Sequence, residues 1–358
     1  MTRKNNKKTI RVLMCGSTLQ TKGGMSSVIR VLLDSTEWEE VEIRFLPTHI
    51  ERNKAIVALY FLWSLLRILW TVCTYRPHIA HLHTAIKGSF IRKGILSILL
   101  QTLGIKVVLH HHGSSLLPFY QNLPKWGQCL FRHIVNNVDS NIVLSLTLQN
   151  EMKKFLPYAP FIVIPNAVNT TMNNPYTGTG HLVTTMGRLG KRKGTYDLLQ
   201  AIKQIDKMLP SHIQFALCGD GDVEEVKTTT ARLGITHRIA HIGWVSGKER
   251  EEILAQTLLH VLPSYHEAFP MAILETMARG IPNISTRIAS IPEVVKPHIT
   301  GYLITPGDID SLGKYILQSC TTPTERLDMS KQSYELITKN YSQQQQIEHI
   351  KSLYRSLR

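Results

Sequence analysis

Twelve short runs of β-branched and aliphatic residues, separated by stretches long enough for helices, constrain this chain more than any other feature. The first six are IRVLMCG, VEIRFLP, IAHLHT, KVVLHHH, NIVLSL and FIVIPN. After Asn166 the polar stretch AVNTTMNNPYTGTG reads as a linker, and six more runs follow: HLVTTMG, IQFALCG, RIAHIGW, LHVLPS, IPNISTR and GYLIT. Strands alternating with helices predict parallel sheets covered on both faces. TYDLLQAIKQIDKML, with Leu199, Ile202, Ile205 and Leu209 at helical spacing, predicts one such helix. The expected fold is α/β, with two doubly wound domains over residues 1–170 and 171–340 and a final helical stretch, 341–358, packing back on the first. A length of 358 residues suits two domains better than one core. Ligands of doubly wound sheets bind outside the carboxyl ends of the strands, so two facing domains are expected to form a cleft between them.

Charge narrows the partners. Residues 1–175 hold 20 Lys and Arg against 8 Asp and Glu, and residues 176–358 hold 21 against 18. A basic front half points to a polyanion: nucleic acid, anionic lipid headgroups or a phosphorylated substrate. Charge kept for solubility explains the net +15 but not its placement. No basic stripe interleaved with aromatics points to a nucleic-acid reader. The five cysteines are scattered with no Cys-x-x-Cys pair, which suits a reducing compartment and predicts buried thiols rather than disulfides or a zinc site. The N-terminal apolar run, Ile10 to Cys15 with Arg11 inside it, is too short for a signal peptide. AIVALYFLWSLLRILWTVCTY, residues 55–75, has Arg67 as its only charge and is long enough to cross a bilayer. A crossing there would separate the first strand from the rest of its sheet. The expected form is therefore a helix packed on the sheet, with an aromatic edge able to touch lipid.

Several short constellations carry chemistry. SYHEAFPMAILETMARG, residues 264–280, sets Glu267 and Glu275 eight positions apart in apolar surroundings. Pro270 suits the first turn of a helix running to a stop at Gly280, with Glu267 in the feeding loop and Glu275 inside the helix. MGRLGKRKG, residues 186–194, follows a strand and precedes a helix, so Arg188 and Lys193 can neutralise a diphosphate without a metal. A solvated basic turn is the plainer alternative. Gly23-Gly24 after the opening strand lets backbone amides approach a phosphate or sugar, or simply makes a tight turn. His81, His83, His110 and His112 cluster, but strand alternation puts His111 on the opposite face and no Cys or carboxylate stands at ligand spacing, so no metal is expected. His112, at its strand's end, is best placed to face a cleft. Asp220-x-Asp222 reads as a glycine-flanked turn with an N-capping Asp rather than a metal motif. Trp244 in HIGWV has two readings, a place near the nucleotide base and, more ordinarily, a place in the core.

GRLGKRKG, LCGDGD, HIGWVSGKEREEIL, VLPSYHEAFPMAILETMARGIPNISTRIASIPEVV and TGYLITPGD, in that order, resemble the retaining glycosyltransferases of family 4, with the GT-B fold of two facing Rossmann-like domains. In the first half KGGMSSV, HLHT, the strand ending at His112 and VIPNAVN resemble it more loosely. The resemblance implies that Glu267 bonds hydroxyls of the donor sugar and Glu275 those of the ribose. It implies that Arg188 and Lys193 hold the donor diphosphate in place of a metal, that Ala268 and Phe269 line the donor site, and that His112 faces the sugar. Gly23 and Gly24 then form the loop near diphosphate and acceptor. Ala268 and Pro270 stand where the family often has glycines, and Ala289-Ser290 where Gly-Gly often precedes Ile-Pro-Glu. Eight fully helical residues rise about 12 Å, beyond the spacing of a glycosidase pair and suited to gripping both ends of a sugar nucleotide. The helix start near Phe269 and Pro270 would face the phosphates.

The resemblance thus implies a retaining glycosyltransferase that needs no cofactor or metal. Such an enzyme is expected to move a hexose or N-acetylhexosamine from a nucleotide diphosphate sugar, UDP foremost, to a glycan or polyprenyl diphosphate-linked acceptor in bacterial surface polysaccharide synthesis. The expected location is the cytoplasm, with peripheral contact to an anionic membrane at its inner face. A sugar-nucleotide epimerase of the same fold is the alternative.

Overall fold

The computed structural model describes residues 9–21, 24–113 and 116–358. Gly23, one of the two loop glycines, lies outside the described residues. The chain forms two compact units, one running to Ala167 and including Gln343–Arg358, the other Val168–Ser342.

All twelve runs become strands. In chain order the first unit holds β1 (Ile10–Gly16), α1 (Gly24–Leu33), β2 (Val41–Pro47), α2 (Lys54–Tyr75), β3 (Ile79–Thr84), α3 (Gly88–Thr102), β4 (Lys106–His111), α4 (Leu116–Gln121), α5 (Lys125–Asn137), β5 (Ser140–Val143), α6 (Leu146–Phe155) and β6 (Phe161–Val163). The second holds β7 (Leu182–Met186), α7 (Thr195–Ile205), β8 (Gln214–Cys218), α8 (Val223–Leu233), β9 (Ile239–Gly243), α9 (Gly247–Ala255), β10 (Thr257–Leu262), α10 (Met271–Met277), β11 (Asn283–Thr286), α11 (Ile291–Val294), β12 (Gly301–Ile304), α12 (Ile309–Thr321) and α13 (Pro323–Asn340). The last helix, α14 (Gln343–Leu357), belongs to the first unit. Its Tyr354 is fully buried with its hydroxyl 2.5 Å from His81 Nδ1, and Gln346 Nε2 donates to the Pro165 carbonyl at 2.7 Å.

Each sheet is six-stranded and parallel throughout, ordered β2-β1-β3-β4-β5-β6 in the first unit and β12-β11-β10-β7-β8-β9 in the second. Strand order reverses between β1 and β3 in the first sheet and between β7 and β10 in the second, and at such switch points the loops leaving two neighbouring strands diverge and open a crevice. On the first sheet Leu13, Cys15, Ala80, Leu82, Val107 and Leu109 share a core cluster with Phe61 and Ile68 of α2, Phe90 and Leu96 of α3, and Phe131 of α5. Those three helices therefore cover one sheet face, while His81 and α14 lie on the other.

Helix α2 starts where Asn53 Oδ1 accepts from the Ile56 amide at 3.0 Å and ends at Arg76, in the left-handed region at φ 50°. It joins β2 to β3, both hydrogen-bonded to β1, so it lies along one sheet rather than separating two. The expectation of uniformly buried thiols fails. Cys15 and Cys218 are buried, but Cys73 and Cys129, on the outer faces of α2 and α5, are exposed.

Lys93 of α3 is buried, its Nζ 2.5 Å from Thr48 Oγ1. Burial pulls its pKa down to about 8 from 10.5. Below pH 8 the folded chain must bury a charge that the unfolded chain solvates, and between pH 8 and 10.5 only the unfolded chain holds the proton, so stability rises with pH there. Lys93→Met, near in volume and uncharged, should be more stable than the parent at pH 7. Chemical denaturation across pH 7–10.5 should show that advantage shrinking by up to about 3 kcal/mol. A pH-independent difference would contradict the buried charge.

Candidate active site

The second unit's switch point brings together two loops. The loop after β7 runs through Gly187, Arg188 and Gly190 into a 3-10 turn, Lys191–Lys193, then Gly194 and α7. The loop after β10 runs from Pro263 through Glu267 to α10. Two contacts lace them together: the Tyr265 amide donates to the Arg192 carbonyl at 2.9 Å, and Arg192 Nη1 to the His266 carbonyl at 3.2 Å. Gly194 makes this approach possible. It sits at φ 69°, and a Cβ there would lie 2.0 Å from the Pro263 carbonyl oxygen. Gly219 is similarly tight, since a Cβ there would lie 1.8 Å from the Gly187 oxygen.

At the crossing, Lys193 Nζ forms an ion pair with Glu267 Oε1, which also accepts from Ser264 Oγ at 2.7 Å. Both side chains are largely buried, at 14% and 7% exposure. An ammonium has three donors, so Lys193 keeps donors beyond the one that Glu267 uses. Arg188 is exposed and has neither a hydrogen-bond nor an ion-pair partner among the described residues. Lys193 is thus an anchored cation of the site, and Arg188 is free to adjust.

Helix α10 departs from expectation at both ends. Pro270 is the extended residue before the helix, at φ −72° and ψ 112°, and the helix ends at Met277. Gly280, at φ 69°, closes the turn beyond it. Only the last part of the Glu267 to Glu275 interval is helical, so the fully helical rise does not apply. Glu275 has its own partner, Arg250 of α9, whose Nη2 lies 2.5 Å from Oε2. Burial pushes the Glu275 pKa up while Arg250 and Arg279 pull it down. Ala268 is half-buried, and Phe269, 4% exposed, packs its ring 5.7 Å from that of Tyr341. Phe269 can therefore offer a ligand its backbone but not its ring.

Two further expectations change. Asp222 occupies the cap position of α8, yet its carboxylate makes no capping bond and instead accepts from Tyr196 Oη at 3.2 Å. Trp244 is half exposed rather than core, because β9 is an edge strand ending at Gly243.

In the first unit His112 follows β4, its amide donating to the Thr84 carbonyl at 2.8 Å. Strand alternation holds: the rings of His110 and His112 lie against those of His81 and His83, with His83 and His112 stacked, while His111 bonds Asn141 Oδ1 at 3.0 Å on the opposite face. His83 Nδ1 lies 2.9 Å from His112 Nε2, and His81 Nε2 lies 3.1 Å from His110 Nδ1. Burial lowers the pKa of His81 and of His112 to about 3, so these rings are neutral at physiological pH. One nitrogen each of His81, His83 and His110 lies within 4.8 Å of the others, the grouping best able to hold a metal among the described residues. Gly24 opens α1, and a Cβ there would meet nothing within 4 Å.

Two family profiles cover most of the chain: Glycosyltransferase Family 4 matches residues 24–172 and Glycosyl transferases group 1 matches residues 173–336. The chain belongs to the group 1, family 4 glycosyltransferases. Its twin parallel sheets are those of the GT-B class. Among curated relatives, the uncharacterised glycosyltransferase MJ1607 of Methanocaldococcus jannaschii is 27% identical over 133 residues, 37% of this chain and only 33% of its own length. UDP-Gal:alpha-D-GlcNAc-diphosphoundecaprenol alpha-1,3-galactosyltransferase of Escherichia coli is 26% identical over 88% of this chain and 84% of its own. Among solved structures, Anabaena HepE, in complex with UDP and glucose, superposes with a TM-score of 0.73 at 16% identity, covering 97% of this chain and 100% of that one.

For a glycosyltransferase of this family, sequence spacing gives no role to Arg250, inside GKEREEIL, because its contact with Glu275 joins two helices 25 positions apart. Ser264 opens the glutamate stretch and reaches Glu267 within the same loop.

The glycines give the sharpest test of this geometry. Gly194→Ala meets both a left-handed φ and a backbone oxygen, and should cost more than about 3 kcal/mol. Gly24→Ala, at a helix start with open space, should keep or slightly raise stability. Calorimetric melting of the two variants would contradict the packing if their order were reversed.

Proposed function

We propose that the protein transfers a hexose or N-acetylhexosamine from a UDP-sugar, with retention and without a metal ion, to a glycan or lipid-linked acceptor of surface polysaccharide synthesis in the cytoplasm. The observation that carries this reading is the Lys193–Glu267–Ser264 grouping at the switch point, with exposed Arg188 on the same loop as Lys193 and the Glu275–Arg250 pair on the helix that follows Glu267. Two guanidinium or ammonium groups can neutralise a diphosphate as its charge grows, which is the task a divalent metal performs elsewhere. The E. coli relative, a galactosyltransferase from UDP-Gal to a diphosphoundecaprenol-linked sugar, supports the donor and acceptor classes. The UDP and glucose of the HepE complex support the donor.

On this reading Glu275, steadied by Arg250, accepts from ribose hydroxyls, and Glu267 accepts from sugar hydroxyls. Lys193 and Arg188 take the diphosphate. As the bond from the anomeric carbon to the phosphate oxygen breaks, the acceptor oxygen bonds that carbon on the same face. The acceptor proton passes to the departing phosphate. His112, neutral and with Nε2 engaged by His83, has Nδ1 for a substrate hydroxyl.

UDP at one hundred times its dissociation constant should raise stability by about 2.7 kcal/mol, unchanged by EDTA. Glu267→Ala should lower turnover about 100- to 1,000-fold while changing UDP affinity less than about tenfold, near 1.4 kcal/mol. Product NMR should show the donor's anomeric configuration preserved. Stabilisation that vanishes with EDTA, or full turnover in Glu267→Ala, would overturn the assignment.

A further inference from the structure

Helix α2 is apolar on the wrong side as well as the right one. Phe61, Ser64, Ile68, Thr71 and Tyr75 face the sheet. On the opposite side Ile56, Leu59, Trp63, Leu66 and Trp70 recur at intervals of three and four, one stripe along the helix, with Leu59 and Leu66 each 67% and Trp70 68% exposed. A helix holding a soluble sheet needs only one apolar face, so the second is a surface prepared for another apolar phase. It does not stop at α2. Ile91, Ile95 and Ile98 of α3 and Trp126 and Leu130 of α5 are also exposed, on the helix layer that covers the same sheet face.

The charges around this layer identify the partner. From Arg52 to Val138 the sequence contains ten Lys and Arg and no Asp or Glu. Arg52, Lys54, Arg76, Lys87, Lys125 and Arg132 are exposed, and they flank the ends of α2, α3 and α5 or lie on α5. Arg67 lies over the Trp63 ring at 4.5 Å, a cation beside an amphipathic ring as at a headgroup boundary. We infer that the outer face of α2, continued by α3 and α5, rests on an anionic lipid bilayer, with the Trp and Leu stripe in the acyl boundary and the flanking cations on the headgroups. Insertion across the bilayer is excluded by β2 and β3, which bracket α2 and both pair with β1. A second copy is disfavoured by charge, since a twofold contact would face two acid-free basic surfaces. The inference is independent of the donor chemistry proposed above.

The test is flotation of the full chain with phosphatidylcholine vesicles, with or without 30% phosphatidylglycerol, at low and high salt, beside Leu66→Glu/Trp70→Glu. The wild type should float with the anionic vesicles, less at high salt, and brominated lipid should quench its tryptophan fluorescence. The variant should partition at least tenfold less, with an unchanged far-ultraviolet spectrum. If the variant misfolds, the wild-type quenching alone decides. Wild type remaining in the aqueous fraction with both vesicle types, or a variant that floats as well as the parent, overturns the inference. So does a light-scattering mass showing a dimer that the variant converts to monomer, because the face would then be a self-interface. Flotation without any UDP stabilisation would keep this inference and sink the donor assignment instead.

Discussion

The ion pair between Lys193 and Glu267 is the contact around which the second unit's functional end is arranged. Both groups are nearly out of water, where a lone charge is costly and a pair only about breaks even. The chain secures it with short polar bonds. Ser264 donates to the same carboxylate, and Thr286 Oγ1 holds the Ser264 carbonyl at 2.6 Å. Gly194 and Gly219 let strand-end loops approach more closely than any side chain would permit. A stabilising purpose would have been better served by apolar packing; a charge held ready with spare donors is better explained by a ligand that carries opposite charge.

A second anchored carboxylate, Glu275, lies on the short helix α10, and its partner Arg250 comes from α9. The two glutamates therefore answer to different cations on different elements, which fits two separate points of grip on one extended ligand. The neighbouring loop shows a cost of this chain's departures from its family. Ala289 sits at φ 44°, where glycine would be relaxed, and Ser290 Oγ bonds the Ala268 carbonyl beside Glu267. That bond ties the strained turn to the glutamate loop.

Much of this was legible in the sequence. Short runs of β-branched and aliphatic residues predicted all twelve strands, because fully buried parallel strands leave little room for polar interruption. That Lys193 and the Glu267 stretch stand at two strand ends was legible as motifs, and the ion pair between them joins those ends. What was not legible depends on three-dimensional approach: Arg250 reaching Glu275, Phe269 turning into the core against Tyr341, and Trp244 turning outward at an edge strand. Pro270 was misplaced by one position because proline tolerates both the cap and the first turn. Cys73 and Cys129 were misjudged because α2 and α5 expose faces that composition alone would bury.

The claim that everything else leans on is that Lys193, held by Glu267, receives the diphosphate of the donor. Isothermal titration of UDP and of uridine into the wild type and Lys193→Ala measures it directly. A charge-assisted bond is worth about 1.5–3 kcal/mol, so UDP affinity should fall roughly 10- to 150-fold in the variant while uridine affinity stays the same. Equal loss for both ligands would mean that Lys193 only shapes the loop, and undiminished UDP affinity would contradict the account at its centre.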